Sequence, residues 1–202
     1  MATKKVCRPF LLLFFASYAA GGVLFSTLKP TLVVQASPRA GSVLNVGEDR
    51  ITVTWSLNQS FPKGMDQQYK KIKVKLCYAP ISQKDRAWRK TVDDIKKDKT
   101  CQFKIAAQPY NSTATVAWLI ERDTPTATYF IRTYALDSQD NEVTYGQTTN
   151  KNKTTNLFVI QGISGRQASL DVAAAVFSVF SVFSLFAFFI REKWAAKRVQ
   201  RK

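Results

Sequence analysis

Histidine is absent from all 202 residues. Ser-His-Asp and Cys-His catalysis are therefore excluded, because both need an imidazole to carry the proton. Zinc loses its commonest nitrogen ligand, and three cysteines cannot complete a tetrahedral thiolate site. The chain also lacks G-x-S-x-G, a Walker loop and G-x-G-x-x-G. Acids are scarce, 14 against 30 Lys and Arg. The adjacent pair Asp93 and Asp94 has lysines close by and no apolar setting to raise a pKa for acid catalysis. Both read as solvated loop carboxylates. The sequence implies no catalytic residue, no cofactor, no metal and no enzyme.

A net charge of +16 raises the question of nucleic acid. The charge is unevenly placed. Residues 1–30 hold four basic groups and no acid, and residues 191–202 hold six basic groups and one acid. Each cluster adjoins an apolar run. "MATKKVCRPFLLLFFASYAAGG" has a basic start, an apolar stretch from Phe10 to Ala20 and small residues after it, the layout of a signal peptide over 1–22. Cleavage is expected between 19 and 28, with Ser17/Ala19 or Ala19/Gly21 at the −3/−1 positions, and Cys7 leaves with the signal. "VAAAVFSVFSVFSLFAFFI", Val172–Ile190, carries no charge. Nineteen helical residues at 1.5 Å each give about 28 Å, enough to cross a bilayer. Asp171 is expected to cap this helix, and the basic tail 191–202 belongs on the cytoplasmic side. The expected protein is single-pass and type I, at the plasma membrane, in contact with the lipid bilayer. That topology removes nucleic acid as a partner.

The outer segment, residues 30–165, contains eight strand-like runs at short spacing. They are "TLVVQASP", "RITVTWSL", "KIKVKLCYA", "CQFKIAAQP", "TATVAWLIE", "TYFIRTYAL", "EVTYGQT" and "TNLFVIQGI". Ile51, Val53 and Trp55 alternate with polar residues, as do Ile72, Val74 and Leu76. Period-two patterning with an apolar face means sheet packed on sheet. The expected fold class is all-β, an immunoglobulin or fibronectin type III-like sandwich, plus one C-terminal transmembrane helix. Trp55 and Trp118 are expected in the core. Tyr129 or Tyr134 is expected to form a tyrosine corner.

Cys77 and Cys101 are the cysteines left after signal removal, and an oxidising compartment makes a disulfide the default. Between them lies an unusually charged insert. Residues 83–99 alone hold seven basic and four acidic side chains, with Trp88 among them. Three N-x-S/T sequons, at Asn58, Asn111 and Asn152, fall near strand ends or turns and are candidate glycosylation sites. By residue type alone the insert is either a solvated surface or an interface.

"KVKLCYAPISQKDRAWRK", "KDKTCQFK", "TYFIRTYALD", "VTYGQ" and "SGRQASLDVAAAVFSVFS" occur in order along most of the chain. In these blocks the sequence resembles the plant high-affinity nitrate transporter accessory family, the nitrate transporter-activating proteins. The resemblance implies a protein with no transport activity of its own. It implies a polytopic high-affinity nitrate carrier of the major facilitator superfamily as partner, in a hetero-oligomer. It also implies that the arginine of "WRK" and the aspartate of "KDK", here Arg89 and Asp98, matter for the carrier interaction. Trp88 beside them is the kind of aromatic that anchors an interface. Arg89 and Asp98 could alternatively pair with each other inside the loop. The competing reading of the whole chain is a receptor or adhesion ectodomain that binds an extracellular ligand.

Overall fold

The computed structural model describes residues 22–62, 64–165 and 167–199. Residues 1–21 of the expected signal segment 1–22, with the expected cleavage positions Ser17, Ala19 and Gly21 and with Cys7, lie outside the described residues. All eight expected runs form strands. They are β1 (Leu32–Ala36), β3 (Arg50–Leu57), β4 (Lys71–Tyr78), β5 (Phe103–Pro109), β6 (Thr113–Leu119), β7 (Ala127–Leu136), β8 (Glu142–Gln147) and β9 (Phe158–Gln161). A further short strand, β2 (Val43–Asn45), lies between β1 and β3 along the chain. It pairs in parallel with β9 and is too short to show alternation.

The strands form two sheets. β3 lies between β1 and β6, antiparallel to both. The larger sheet runs β2-β9-β7-β4-β5. β9 takes the first part of one edge of β7, and β8 takes the second part, from Arg132 to Leu136. The inward residues of β3, Ile51, Val53 and Trp55, meet Ile72, Val74 and Leu76 of β4 and Tyr129 and Ile131 of β7 in one core. Trp118 joins them, so both expected tryptophans are core residues. Tyr129 donates a 2.6 Å hydrogen bond to the Pro125 carbonyl four residues upstream, the geometry of a tyrosine corner. Tyr134 points to the opposite face. Where β8 crosses β1, a side chain at Gly146 would collide with the Leu32 backbone carbonyl, and glycine is what permits the approach.

Sheets in antiparallel sandwiches commonly leave their outer face to water. The larger sheet does not. β7 is buried on both faces for nearly its full length. Phe130, Arg132, Tyr134 and Leu136 point away from the sandwich core and are still at most 1% exposed. Tyr134 and Leu136 are covered by Ile95 of the charged insert and by Val23, Phe25 and Leu28 of residues 22–31, which form a strap. Phe25 also covers Arg132, and Phe130 packs with Cys77, Cys101 and Leu157.

The single long helix among the described residues is α1, Ala168–Val199. It contains the apolar stretch 172–190 and is long and apolar enough to cross a membrane. It starts four residues earlier than expected, so Asp171 stands in its first turn and is not the residue preceding it. The expected tail remains helical as far as Val199.

Candidate functional site

The insert is tied at both ends. β4 and β5 are neighbours, with Leu76 opposite Phe103, so Cys77 and Cys101 meet at the strand ends and form a disulfide. Phe130 packs against the bridge from β7. Beyond Cys77 the chain makes a 3-10 turn at Pro80–Ser82 and a second at Ala87–Arg89. Asp85 between them has a positive φ of 57°, a conformation aspartate tolerates better than most residues. The Ala79 amide donates to the Thr128 carbonyl, and the Thr128 amide donates to the Ser82 hydroxyl. The first turn is therefore fastened to β7.

Arg89 is only 6% exposed. Its guanidinium lies over the Tyr78 ring, 4.1 Å from the centroid, and Nη1 donates to the Ser82 carbonyl at 3.2 Å. The fork expected to face a partner is turned into the domain, and it seals the end of the core formed by Tyr78, Phe103 and Tyr129. Its buried Nε has no partner among the described residues.

Asp98 is half-buried and works on the backbone. One carboxylate oxygen accepts from the Val92 amide at 3.2 Å, the Thr100 amide at 3.1 Å and the Thr100 hydroxyl at 2.7 Å. The Thr91 hydroxyl completes the cluster at 2.7 Å from that of Thr100. Gln102 Nε2 donates to the carbonyls of Trp88 and Lys99. The ion pairs among the described residues are Lys71–Asp140, Lys73–Glu142 and Lys97–Asp94, so Arg89 and Asp98 do not pair with each other. Each holds a different part of the loop. Trp88, the third residue singled out, is 60% exposed.

Asp93 and Asp94, expected to be solvated, hold the strap. Leu24 pairs antiparallel with Asp94. The Phe25 amide donates to the Asp93 carbonyl, the Ile95 amide to the Val23 carbonyl, and the Ser26 amide and hydroxyl to the two Asp93 carboxylate oxygens. Ile95 packs with Tyr134, Leu136, Val23, Phe25, Leu28 and Tyr145. Under this layer sits Arg132, 1% exposed. Its guanidinium is 4.2 Å from the Phe25 ring and 5.3–5.9 Å from those of Phe130, Tyr145 and Tyr134. It donates to Gln147 Oε1 and to the Tyr134 hydroxyl. No carboxylate pairs with it among the described residues, so aromatic faces and neutral acceptors offset its burial. Burial, with Lys73 nearby, lowers the pKa of Lys75. Burial, with Arg132 nearby, lowers that of Lys153.

Sequence reasoning missed the strap and Arg132. A signal was available, because Phe130 and Tyr134 alternate with Tyr129 and Ile131, making both faces of β7 aromatic or apolar.

All three sequons reach the surface in turns. Asn58 follows β3, Asn111 lies between β5 and β6, and Asn152 lies between β8 and β9. The first two share one end of the domain, where the Leu57 amide donates to the Ser112 carbonyl.

Residues 25–165 match the sequence family described as "High-affinity nitrate transporter accessory, Ig-like domain". The rice protein "High-affinity nitrate transporter-activating protein 2.1" is 50% identical over 172 residues, 85% of this chain and 82% of its own length. The Arabidopsis thaliana protein "High-affinity nitrate transporter 3.1" is 52% identical over 182 residues, 90% of this chain and 84% of its own.

Proposed function

Because the chain belongs to the high-affinity nitrate transporter accessory family, we propose that it is a non-catalytic accessory subunit of a high-affinity nitrate carrier. In this reading it is required for the carrier's accumulation and activity at the plasma membrane. The observation that carries the proposal is the match over residues 25–165, together with half-identity to relatives named as nitrate transporter-activating proteins. The partner is a polytopic carrier of the major facilitator superfamily, joined in a hetero-oligomer. A single span offers no polar path of its own, so the partner moves the solute.

The disulfide loop is the element the carrier reads, and Arg89 and Asp98 act by holding its shape. The geometry behind this is the division of labour described above, with one side chain seated on Tyr78 and the other on the Val92 and Thr100 amides. The signal peptide is removed, α1 spans the membrane with its basic end in the cytoplasm, and Asn58, Asn111 and Asn152 carry glycans. A mobility shift on N-glycosidase treatment tests the last point.

The deciding experiment is nitrate uptake in a heterologous cell that expresses the carrier alone, this chain alone, or both. Uptake only when both are present is the expected result. Uptake by this chain alone, or by the carrier alone at the same rate, overturns the proposal.

A further inference from the structure

The domain has two ends, and the route to α1 leaves from only one. β9 stops at Gln161 next to the start of β7, with Ile160 opposite Ala127, and β4 ends beside them, with Tyr78 opposite Tyr129. Seven chain steps separate Gln161 from Ala168, the first residue of α1. At 3.3–3.6 Å per residue they reach at most about 25 Å. If α1 spans a bilayer, this end of the sandwich is held against the membrane surface.

The two 3-10 turns of the insert sit at this same end, fastened to Thr128 near the start of β7. They carry two large apolar side chains that nothing among the described residues covers, Ile81 at 71% exposure and Trp88 at 60%. Lys84, Arg86 and Lys90 are exposed around them, and Asp85 is the one acid between residues 79 and 92. Glu48, Asp49, Glu121 and Asp123 belong to the other turns at this end, so the basic and apolar groups are concentrated on the insert side. Asn58 and Asn111 lie at the opposite end, and Asn152 lies in the β8–β9 loop. No sequon falls within the insert.

We infer that the tip Pro80–Lys90 is a lipid-contacting foot, with Trp88 and Ile81 seated among the headgroups of the leaflet on the domain's side. Indole is suited to that layer because its ring is apolar and its N–H finds a polar partner. The Lys84, Arg86 and Lys90 stems lie along the apolar surface while their charged ends reach lipid phosphates. Seating the foot fixes the tilt of the whole domain, because the disulfide and Arg89 make the tip rigid with respect to β4. The inference rests on reading α1 as a membrane span. It assigns Trp88 to the bilayer and leaves the rest of the loop to the carrier.

The test uses the full mature chain in phosphatidylcholine nanodiscs, with and without lipids brominated near the carbonyl end of the acyl chains. Trp194→Phe leaves Trp88 as the exposed indole, and subtracting the spectrum of the Trp88→Phe, Trp194→Phe chain removes Trp55 and Trp118. The expected result is Trp88 emission that is quenched by brominated lipid, with less quenching in Ile81→Ser. The single variant Trp88→Phe retains Trp194 at the other end of α1 and reports insertion independently. Quenched Trp194 with unquenched, water-like Trp88 overturns the foot. Unquenched Trp194 overturns the span, and the foot with it. Trp88 emission that changes only when the carrier is added assigns the tip to a protein surface and also overturns the inference.

Discussion

The Arg89 guanidinium rests 4.1 Å above the Tyr78 ring and closes one end of the sandwich core. Its charge is used where water is excluded, so removing it uncovers Tyr78 and frees the Ser82 carbonyl. Arg89→Ala should cost about 2 kcal/mol, of the order of a desolvated cation–π contact. Arg89→Lys should recover less than half of that, because an ammonium lacks the flat face. Urea unfolding of the purified protein gives the stability change. Co-purification with the carrier should fall in the same order.

Asp98 offers a test that separates charge from geometry. Asp98→Ala leaves the Val92 and Thr100 amides without their acceptor and should cost about 2 kcal/mol. Asp98→Asn retains an oxygen in the same place and should cost less than half as much. If carrier binding needs the loop's shape, Asp98→Asn binds the carrier well and Asp98→Ala binds poorly. Equal loss in both variants would instead make the negative charge the recognised feature.

The disulfide closes a loop with a sequence separation of 24 residues. Replacing Cys77 and Cys101 together by serine should cost about 3 kcal/mol in the chain-entropy account. Limited proteolysis should then cut first between residues 83 and 99, and spare the strands.

Gly146 of β8 lies against the Leu32 backbone of β1. Gly146→Ala places a methyl group against the Leu32 carbonyl, and backbone must shift to admit it. The expected cost is about 1–3 kcal/mol, typical of an overpacked site. Gly41, whose added Cβ would meet nothing, is the control for lost glycine in general, though its φ of +79° adds a local penalty.

Alkali should unfold the domain through its phenols. Burial raises the pKa of Tyr129 and Tyr134, and burial with the Asp66 hydrogen bond raises that of Tyr110. In the unfolded chain tyrosine ionises near pH 10. Above that pH the unfolded state holds fewer protons than the native one, so stability falls as pH rises. Tyrosinate absorbance should therefore rise in two stages, with these three side chains ionising together with loss of near-ultraviolet circular dichroism. Independent ionisation of all the tyrosines near pH 10 would contradict the burial described.

The strands were legible because period-two alternation leaves a direct mark on residue order. Ile51, Val53 and Trp55 announced their face, as did Ile72, Val74 and Leu76. The disulfide was legible from the expected compartment and the cysteine count. What was hidden depended on contacts without a period. The strap is held by backbone bonds to residues 93–95, which have no side-chain signature, and by one distant side-chain pair, Ser26 with Asp93. The insert reads as polar because Ile95 is the one apolar residue it inserts into the layer over Tyr134 and Leu136. Arg89 looked like a surface residue because nothing in "AWRK" tells which side of a 3-10 turn faces Tyr78. β2 was too short to alternate.

The strap also sets an order of events during synthesis. Residues 22–31 leave the ribosome before any strand, yet the Thr31 hydroxyl binds that of Thr144, 113 residues later. The strap therefore cannot dock until the domain behind it has almost wholly emerged, and contacts this distant in sequence form late. For all of that time the strap is free of the fold. Once Phe25 closes over Arg132, residues 22–31 are built into the outermost layer of the finished domain.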